Sequence, residues 1–238
     1  MPASPDAMML FAAGLGTRMA PLTADRPKPL IEVDGTTLLD RALQLGCDGG
    51  AARIVVNTHY LGDQIACHLA GSDVMISDES DRLLDTGGGL RKALVQLGQG
   101  PVITLNPDAV WSGPNPITAL RAAWDGVHMD ALLMLVPPQS ALGRLGGGDF
   151  SLDAAGTGAQ GYDGPGQITR RGQYVYGGAQ IIRPDRLAEI DESTFSINRL
   201  WDMMIAEGRA FGIIHPGRWC DVGRPECIPL AEDMLRDG

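Results

Sequence analysis

The sequence has few aromatic residues and few positive charges. Phe, Trp and Tyr make up 5% of its 238 residues, and 19 Lys and Arg are outnumbered by 29 Asp and Glu, which gives a formal net charge of −10. A charge of this sign argues against a nucleic-acid-binding protein and against a polybasic membrane contact. If the protein binds an anionic ligand, a few positively charged side chains must therefore be gathered at the binding site.

Paired cysteines and long hydrophobic runs are also missing. The four cysteines form no Cys-x-x-Cys motif, so neither a zinc knuckle nor a thioredoxin-like site is predicted. No apolar run approaches the roughly 18 residues of a membrane span, and no basic segment followed by an apolar one predicts a signal peptide. We therefore expect a cytoplasmic protein with reduced thiols and with no membrane or nucleic-acid partner.

Strand-like and helix-like segments alternate along the first half of the chain. Hydrophobic residues make up 44% of the sequence, which is enough for an extensive core, and the 32 glycines indicate many tight turns. The apolar runs lack the apolar–polar alternation of a sheet with one exposed face. This order of elements predicts βαβ units in a doubly wound, mostly parallel sheet of the α/β class. The predicted strands are 8–13, 53–57, 74–77, 101–105 and 131–136, and the predicted helices are 36–46, 61–69, 90–97 and 117–124.

The second half of the chain has a different composition. Residues 143–172 are rich in glycine and polar side chains, and within them 149–152 and 167–170 are predicted as short antiparallel strands in a small insertion at the rim of the sheet. A further strand is predicted at 174–182, and another at 210–215. Helices are predicted to begin at Ser196 and at the Arg224-Pro225 pair, since proline suits the first turn of a helix.

An ordered motif follows the first predicted strand. Gly14 and Gly16 can turn the backbone so that several amides point one way, and they allow a ligand to approach closely. Thr17 and Arg18 follow at once, and a lysine flanked by prolines comes at 27–29. The spacing excludes a P-loop and disfavours a dinucleotide fold. The glycines alone would equally fit an ordinary turn, but the whole combination predicts a polyphosphate-binding site.

Residues 10–35 resemble the signature of the sugar-phosphate nucleotidyltransferases, the nucleoside-diphosphate-sugar pyrophosphorylases. That signature reads Ala-Gly-x-Gly-Thr-Arg-(Leu/Met)-x-Pro-Leu-Thr, then Pro-Lys-Pro-Leu, then Val-x-Gly, and the sequence matches it at 13–23, 27–30 and 33–35. The resemblance continues through the rest of the chain. Segment order and length are most similar to the bacterial N-acetylmuramate α-1-phosphate uridylyltransferases, with mannose-1-phosphate guanylyltransferases close behind.

The resemblance implies a reaction and an architecture. A nucleoside triphosphate, with UTP preferred, would react with a sugar 1-phosphate, with N-acetylmuramate 1-phosphate preferred, to give a nucleotide sugar and pyrophosphate in cell-wall sugar recycling. A mannose-1-phosphate guanylyltransferase, a phosphocholine cytidylyltransferase and a non-catalytic nucleotide-sugar-binding subunit remain alternatives. A single nucleotidyltransferase domain over 1–238 is implied, with a nucleotide-binding half of about 1–136 and a sugar-phosphate-binding half of about 137–238, acting as a monomer or dimer.

The resemblance also implies which residues act on the nucleotide. The glycine loop and Arg18 would hold the triphosphate, and Lys28 would stabilise the α-phosphate, which makes these two the catalytic pair. A Leu-Asp-Thr-Gly-Gly-Gly stretch at 84–89 resembles the family's base-binding loop. The implied nucleotide-binding residues are Ala13, Gly14, Leu15, Gly16, Thr17, Thr86, Gly87 and Gly88.

A metal site and an acceptor site follow from the same resemblance. Asp108, at the end of a predicted strand, and Asp221, in Trp-Cys-Asp-Val-Gly, match the family's metal ligands and imply Mg²⁺ as cofactor. Either aspartate alone would by default be a turn or cap residue. The implied acceptor-binding residues are Asn106, Tyr176, Gly177, Ser196 and Asn198, although Ser196 also fits a plain helix N-cap. Arg170-Arg171 is the basic pair nearest to the family's acceptor-phosphate lysine, which leaves the acceptor-phosphate contact open.

Two further expectations concern the end of the second and third predicted strands. His59 follows the second strand, where a structural hydrogen bond is expected. The acidic run 78–81 is expected to form a solvated loop.

Overall fold

Strands and helices alternate along residues 7–123, as the sequence pattern predicts. The computed structural model describes residues 5–153 and 164–237, and every element given below lies in these ranges. The strands are β1 (Ala7–Phe11), β2 (Glu32–Val33), β3 (Thr36–Thr37), β4 (Arg53–Thr58), β5 (Met75–Asp78), β6 (Val102–Leu105), β7 (Ala109–Trp111), β8 (Ala131–Val136), β9 (Ala141–Leu142), β10 (Phe150–Leu152), β11 (Gly166–Arg170), β12 (Val175–Ile182), β13 (Ala210–Ile214) and β14 (Trp219–Asp221). The helices are α1 (Leu38–Asp48), α2 (Gly62–His68), α3 (Asp85–Leu97), α4 (Pro116–Ala123), α5 (Asn198–Ala206) and α6 (Cys227–Arg236). None of these helices has both the length and the apolar character needed to cross a membrane.

The main sheet has the strand order β10-β11-β13-β8-β12-β6-β1-β4-β5. β1 pairs in parallel with β4 and β6, β4 pairs in parallel with β5, and β8 pairs in parallel with β13. β12 is antiparallel to both of its neighbours, β6 and β8. The predicted mostly parallel α/β sheet is confirmed, and it contains a reversed strand at its centre.

Both faces of this sheet are buried. Met8 and Leu10 of β1 belong to one core cluster with Leu39 of α1, whereas Met9 belongs to a second cluster with Leu90 of α3. Consecutive strand residues point to opposite faces, so helices cover both sides of the sheet and the doubly wound arrangement is confirmed. Burial on both faces also explains why the strand-like runs show no polar alternation.

The two short strands predicted within 143–172 form an antiparallel pair at the edge of the main sheet. β10 pairs with β11, and β11 also pairs with β13. The predicted antiparallel segment is thus present at the rim, where it extends the main sheet. Residues 154–163 of the loop predicted between these strands lie outside the described residues.

Three very short strands form a second sheet that the sequence pattern does not predict. β14 lies between β7 and β9, antiparallel to β7 and parallel to β9. Strands of two or three residues are too short to show a recognisable periodicity. This small sheet positions two predicted site residues, because β7 directly follows Asp108 and β14 ends at Asp221.

Candidate active site

A cleft with two lobes lies at the carboxyl-terminal ends of β1 and β6. The Trp201 lobe, named after a tryptophan in its wall, encloses about 380 Å³, and the Gly14 lobe encloses about 430 Å³. The residues that border both lobes are Phe11, Asp85, Thr86, Asn106 and Asp108. This shared wall joins the lobes into one cleft, at the end of the sheet where α/β proteins bind their ligands.

Most of the predicted site residues border this cleft. The Trp201 lobe is bordered by Arg18, Thr86, Asn106, Asp108, Tyr176, Gly177, Ser196, Asn198 and Asp221. The Gly14 lobe is bordered by Ala13, Gly14, Thr86, Asn106 and Asp108. The predicted site residues that border neither lobe are the catalytic Lys28 and the nucleotide-binding residues Leu15, Gly16, Thr17, Gly87 and Gly88. The structure thus brings all residues of the predicted acceptor and metal sites to one lobe, but fewer than half of those of the predicted nucleotide site.

The two glycines after β1 have different roles. Gly16 has a left-handed conformation with φ of 64°, and a Cβ there would lie 3.0 Å from Lys28 Cβ and 3.0 Å from Thr23 Cγ2. The turn thus packs directly against the stem of the lysine, and Thr23 Oγ1 also donates to the Gly16 carbonyl at 3.0 Å. Apart from the chain neighbours of Gly14, no atom of the described residues lies within 4 Å of a Cβ placed on Gly14. Gly16 therefore makes the turn, whereas Gly14 leaves room for a ligand.

Lys28 and Asp108 form an ion pair where the lobes meet. Lys28 Nζ lies 2.8 Å from Asp108 Oδ2, and 12% of the lysine side chain is exposed. Pro27 and Pro29 restrict the backbone on both sides of the lysine, and a short 3-10 helix begins at Lys28. The predicted catalytic lysine is therefore directed at one of the two predicted metal ligands.

Asp221 lies beside Asp108 because the small sheet joins their backbones. The amide of Val222 donates to the carbonyl of Asp108 at 2.9 Å, and Asp221 is opposite Ala109 in the β14–β7 pair. Burial raises the pKa of Asp221, and the negative charge of Asp108 raises it further, while three nearby cations oppose both effects. The two carboxylates repel each other, and a cation between them would relieve that repulsion.

These two carboxylates fit a magnesium ion. Mg²⁺ commonly binds one or two protein carboxylates and completes its octahedral coordination with substrate phosphates and water. Among the residues that the structure describes, no group of three or more His, Cys, Asp or Glu side chains could hold a metal. Asp108 and Asp221 would therefore need the phosphates of a ligand to complete the coordination of Mg²⁺.

A buried chain of hydrogen bonds forms the wall of the Trp201 lobe. Trp201 Nε1 donates to Gln180 Oε1 at 2.8 Å, and Gln180 Nε2 donates to Thr104 Oγ1 at 3.0 Å. The Tyr176 ring packs edge-on against Trp201 with ring centroids 4.9 Å apart, and burial raises the pKa of Tyr176. The polar groups in this wall are satisfied inside the protein, so the wall is rigid. Gln180 is not among the predicted site residues, although a glutamine in an otherwise apolar strand is a local signal of a polar role.

The backbone of β12 is irregular where it passes the cleft. Its pairing with β8 shifts register between Tyr176 and Gln180. Trp219 Nε1 donates to the Gly177 carbonyl at 2.9 Å, and a Cβ on Gly177 would lie 2.5 Å from the Trp111 ring. Glycine at this position therefore permits close packing of the strand against the two tryptophans.

Known proteins resemble the chain along its whole length. Residues 8–184 match the MobA-like NTP transferase domain. The chain belongs to the MobA-like NTP transferase family. N-acetylmuramate alpha-1-phosphate uridylyltransferase of Caulobacter vibrioides is 38% identical over the full length of both chains. Its counterpart in Neisseria meningitidis serogroup B is 32% identical over 90% of this chain and 92% of that one.

Solved structures of low sequence identity share the fold of this NTP transferase. HddC from Yersinia pseudotuberculosis has a TM-score of 0.72 at 20% identity, and covers 96% of this chain and 99% of its own. A UDP-glucose pyrophosphorylase solved with UDP-glucose has a TM-score of 0.76 at 13% identity, and covers 98% of this chain and 99% of its own. The family and the full-length relatives make the chain a nucleotidyltransferase enzyme, as the sequence resemblance implies.

Two backbone amides of the Leu-Asp-Thr-Gly-Gly-Gly stretch of the transferase have a partner inside the protein. The amides of Gly87 and Gly88 both donate to the Phe195 carbonyl, at 2.9 Å and 3.2 Å. A Cβ on Gly87 would collide with the Phe195 ring, and one on Gly88 would collide with the Ser193 carbonyl. These glycines therefore allow residues 193–195 to pack on the start of α3, and the Phe195 carbonyl occupies both amides. Thr86 borders both lobes, and its Oγ1 accepts a bond from the Ile197 amide at 2.9 Å.

Ser196 lies just before α5 and borders the cleft. Its hydroxyl accepts hydrogen bonds from the backbone amide of Asn198 at 3.3 Å and from Asn198 Nδ2 at 2.8 Å. The N-cap position of α5 is Ile197, so Ser196 binds the first residue of the helix from one position further out. The side chains of Ser196 and Asn198 both border the Trp201 lobe.

The expectation of a solvated acidic loop at 78–81 is wrong for Glu79. Glu79 is fully buried and borders the Gly14 lobe. Its carboxylate accepts bonds from Asn57 Nδ2 at 2.7 Å and from the Leu84 amide at 3.0 Å, while Asn57 Oδ1 accepts from the Ala12 amide at 2.8 Å. His59 Nδ1 lies 2.8 Å from the Glu79 carbonyl, which confirms the structural hydrogen bond expected of that histidine. No local sequence signal identifies Glu79, because its partners come from other segments.

Proposed function

We propose that this transferase moves a uridylyl group from UTP to the phosphate of N-acetylmuramate α-1-phosphate. The observation that carries the proposal is the 38% identity, over the full length of both chains, to an enzyme named for that reaction. The two-lobed cleft supports it, because one lobe can hold a nucleotide while the other holds a sugar phosphate. The alternative, a mannose-1-phosphate guanylyltransferase, is less well supported, since the mannose-1-phosphate guanylyltransferase catalytic subunit beta of Drosophila melanogaster is 23% identical to this chain.

The reaction joins two anions at the point where the lobes meet. An oxygen of the sugar phosphate attacks the α-phosphorus of UTP and forms a new P–O bond. The bond from the α-phosphorus to the bridging oxygen of the β-phosphate breaks, and pyrophosphate leaves with that electron pair. Catalysis then depends on positioning and on neutralising charge more than on a strong base.

The residues of the cleft supply these requirements. We assign the triphosphate to the glycine turn and Arg18, and the α-phosphate to Lys28, whose ammonium already lies within hydrogen-bond distance of the junction residue Asp108. Asp108 and Asp221 would hold Mg²⁺, which when bound shields the phosphate charges. The further residues proposed for the nucleotide are Ala13, Gly14, Leu15, Gly16, Thr17 and Thr86, and those proposed for the sugar phosphate are Asn106, Tyr176, Gly177, Ser196 and Asn198.

The proposed setting is the cytoplasm, where the enzyme would return N-acetylmuramate from the cell wall to nucleotide-sugar synthesis. Its substrate class supports this setting, because UTP and a sugar 1-phosphate are both intracellular metabolites. The finding that no described helix could cross a membrane is compatible with it.

One matrix of substrates tests the proposal. UTP, GTP, CTP and ATP are each combined with N-acetylmuramate 1-phosphate, mannose 1-phosphate, N-acetylglucosamine 1-phosphate and phosphocholine in the presence of Mg²⁺, and pyrophosphate release is measured. We expect the highest kcat/KM for UTP with N-acetylmuramate 1-phosphate. Activity confined to GTP and mannose 1-phosphate would overturn the substrate assignment, and no activity with any pair would favour the non-catalytic alternative.

A substitution at Lys28 tests the assignment of the site in the same assay. Lys28→Ala removes the cation that is paired with the junction residue Asp108, and we expect kcat to fall by about 100- to 1,000-fold, as for other groups that stabilise transition-state charge. Arg26→Ala is the matched control, since Arg26 is an exposed cation on the same segment, whereas Lys28 is largely buried and paired with Asp108. Wild-type turnover by Lys28→Ala would show that the catalytic assignment is wrong.

A further inference from the structure

We propose that Arg144 binds the phosphate of the acceptor sugar, an inference that rests on the proposed function. The acceptor phosphate must come close to Asp108 and Asp221, because its oxygen attacks the α-phosphorus there. It also brings negative charge to a place that already holds two carboxylates. Arg18 and Lys28 are assigned to the triphosphate, so a further cation is needed on the acceptor side.

The strand register brings Arg144 to the side of Asp221. β9 pairs in parallel with β14, and Leu142 is opposite Cys220, so the next residue, Gly143, runs alongside Asp221. Gly143 has φ of +71°, and a Cβ there would lie 2.6 Å from the Asp221 carbonyl oxygen. The loop therefore passes in contact with Asp221, and Arg144 borders the Trp201 lobe directly beyond this contact.

The guanidinium of Arg144 is held in place and keeps donors for a ligand. Its Nη2 donates to Asp149 Oδ1 at 2.8 Å, and Asp149 Oδ2 accepts from the Tyr176 amide at 2.9 Å, so Arg144 is tied to β12 through one aspartate. Within residues 5–153 and 164–237, neither Nε nor Nη1 of Arg144 donates to a protein acceptor. About 33% of its side chain is exposed. Nη2 carries two hydrogens and Asp149 accepts from one of them, so one two-donor edge, formed by Nη2 with either Nε or Nη1, stays open for bidentate binding of a phosphate.

Arg170 borders the same lobe but has no comparable freedom. Its Nε donates to Asp202 Oδ1 at 2.8 Å, and its two terminal nitrogens donate to Asn198 Oδ1 at 2.8 Å and to the Asn198 carbonyl at 3.1 Å. Its guanidinium also lies over the rings of Phe150 and Trp201, 5.0 Å and 5.4 Å from their centroids. All three nitrogens of Arg170 thus bind the start of α5, which makes Arg170 a structural residue of the lobe wall. Arg170, of the Arg170-Arg171 pair that lies nearest to the family's acceptor-phosphate lysine in the sequence, is therefore a weaker candidate than Arg144 for binding the acceptor phosphate.

Steady-state kinetics of Arg144→Ala test the proposal with the substrate pair that the wild-type enzyme prefers. We expect the KM for the sugar 1-phosphate to rise about 10- to 100-fold, because charge-assisted hydrogen bonds are lost, while the KM for UTP stays within twofold. Arg144→Lys should show a smaller rise, since lysine keeps the charge but not the two-point contact. Guanidinium ions added to Arg144→Ala should lower the acceptor KM again, which a purely structural defect would not permit.

Arg224→Ala is the matched control for the loop. Arg224 Nη2 donates to the Gly143 carbonyl at 3.2 Å, but Arg224 does not border the Trp201 lobe. We expect its acceptor KM to remain near the wild-type value. An unchanged acceptor KM in Arg144→Ala, or an equal rise in both variants, would overturn the proposal. If the wild-type enzyme turns over a different nucleotide and sugar phosphate, the proposed function fails on its own, and Arg144 is tested with that pair.

Discussion

At the scale of single residues, Glu79 shows how a charged side chain is used inside the core. Its carboxylate is fully buried, and it joins Asn57 of β4 to the backbone just before α3. Asn57 in turn holds the Ala12 amide at the start of the glycine-rich turn. Glu79 therefore links the segments on two sides of the Gly14 lobe without any exposed surface of its own.

Replacement of Glu79 by glutamine tests this link. The amide NH2 of Glu79→Gln would face either the Asn57 NH2 or the Leu84 amide, so one buried donor would lose its acceptor. We expect the free energy of unfolding to fall by about 1–3 kcal/mol, measured by urea denaturation. Asp81→Asn is the control, because 79% of the Asp81 side chain is exposed and a change below about 0.5 kcal/mol is expected there. A Glu79→Gln variant as stable as the wild type would contradict the structural role.

At the scale of elements, the end of β13 is joined to β7 through a buried histidine. His215 is 1% exposed, its Nε2 lies 2.9 Å from the Ser112 carbonyl, and its ring packs edge-on against Trp111 at 4.9 Å. Burial lowers the pKa of His215, and the contact with Ser112 only partly opposes this. The neutral ring is thus the form that fits between the two strands.

The pH dependence of stability tests this packing. Because the pKa of His215 is lower in the folded protein, the unfolded chain takes up a proton first as the pH falls below about 6.5. The stability contributed by the neutral ring is fully present above that pH and is lost as the pH falls towards the folded value, by up to about 1.4 kcal/mol per pH unit. We expect His215→Asn to reduce the slope of unfolding free energy between pH 6.5 and 5. An unchanged slope in that variant would contradict the prediction.

At the scale of the whole molecule, the site depends on contact between distant parts of the chain. Lys28 and Asp108 are separated by 80 residues, and Asp221 is brought to them by the pairing of β14 with β7. The halves predicted at about 1–136 and 137–238 share one sheet. β12 belongs to the second half and pairs with β6 and β8, which both belong to the first half. The division into halves, the single domain and the monomer or dimer remain predictions.

Removal of divalent cations tests how this assembled site works. EDTA should reduce turnover more than 100-fold, and added Mg²⁺ should restore it, because the two carboxylates need a metal to hold phosphates beside them. We expect the melting temperature without nucleotide to be unaffected, since Asp108 is already paired with Lys28 and the small sheet is held by backbone bonds. Full activity in EDTA would contradict the assignment of Asp108 and Asp221.

The sequence by itself determined the class of fold and the class of reaction. The glycine turn, the proline-flanked lysine and the strand-like runs are local patterns, and local patterns survive in a single sequence because neighbouring residues produce them. Tertiary structure alone decided three other points: that Glu79 is buried, that the amides of Gly87 and Gly88 bind Phe195, and that Arg144 and not Arg170 keeps free donors. Burial and hydrogen-bond occupancy depend on residues far away in the chain, so no local pattern could reveal them.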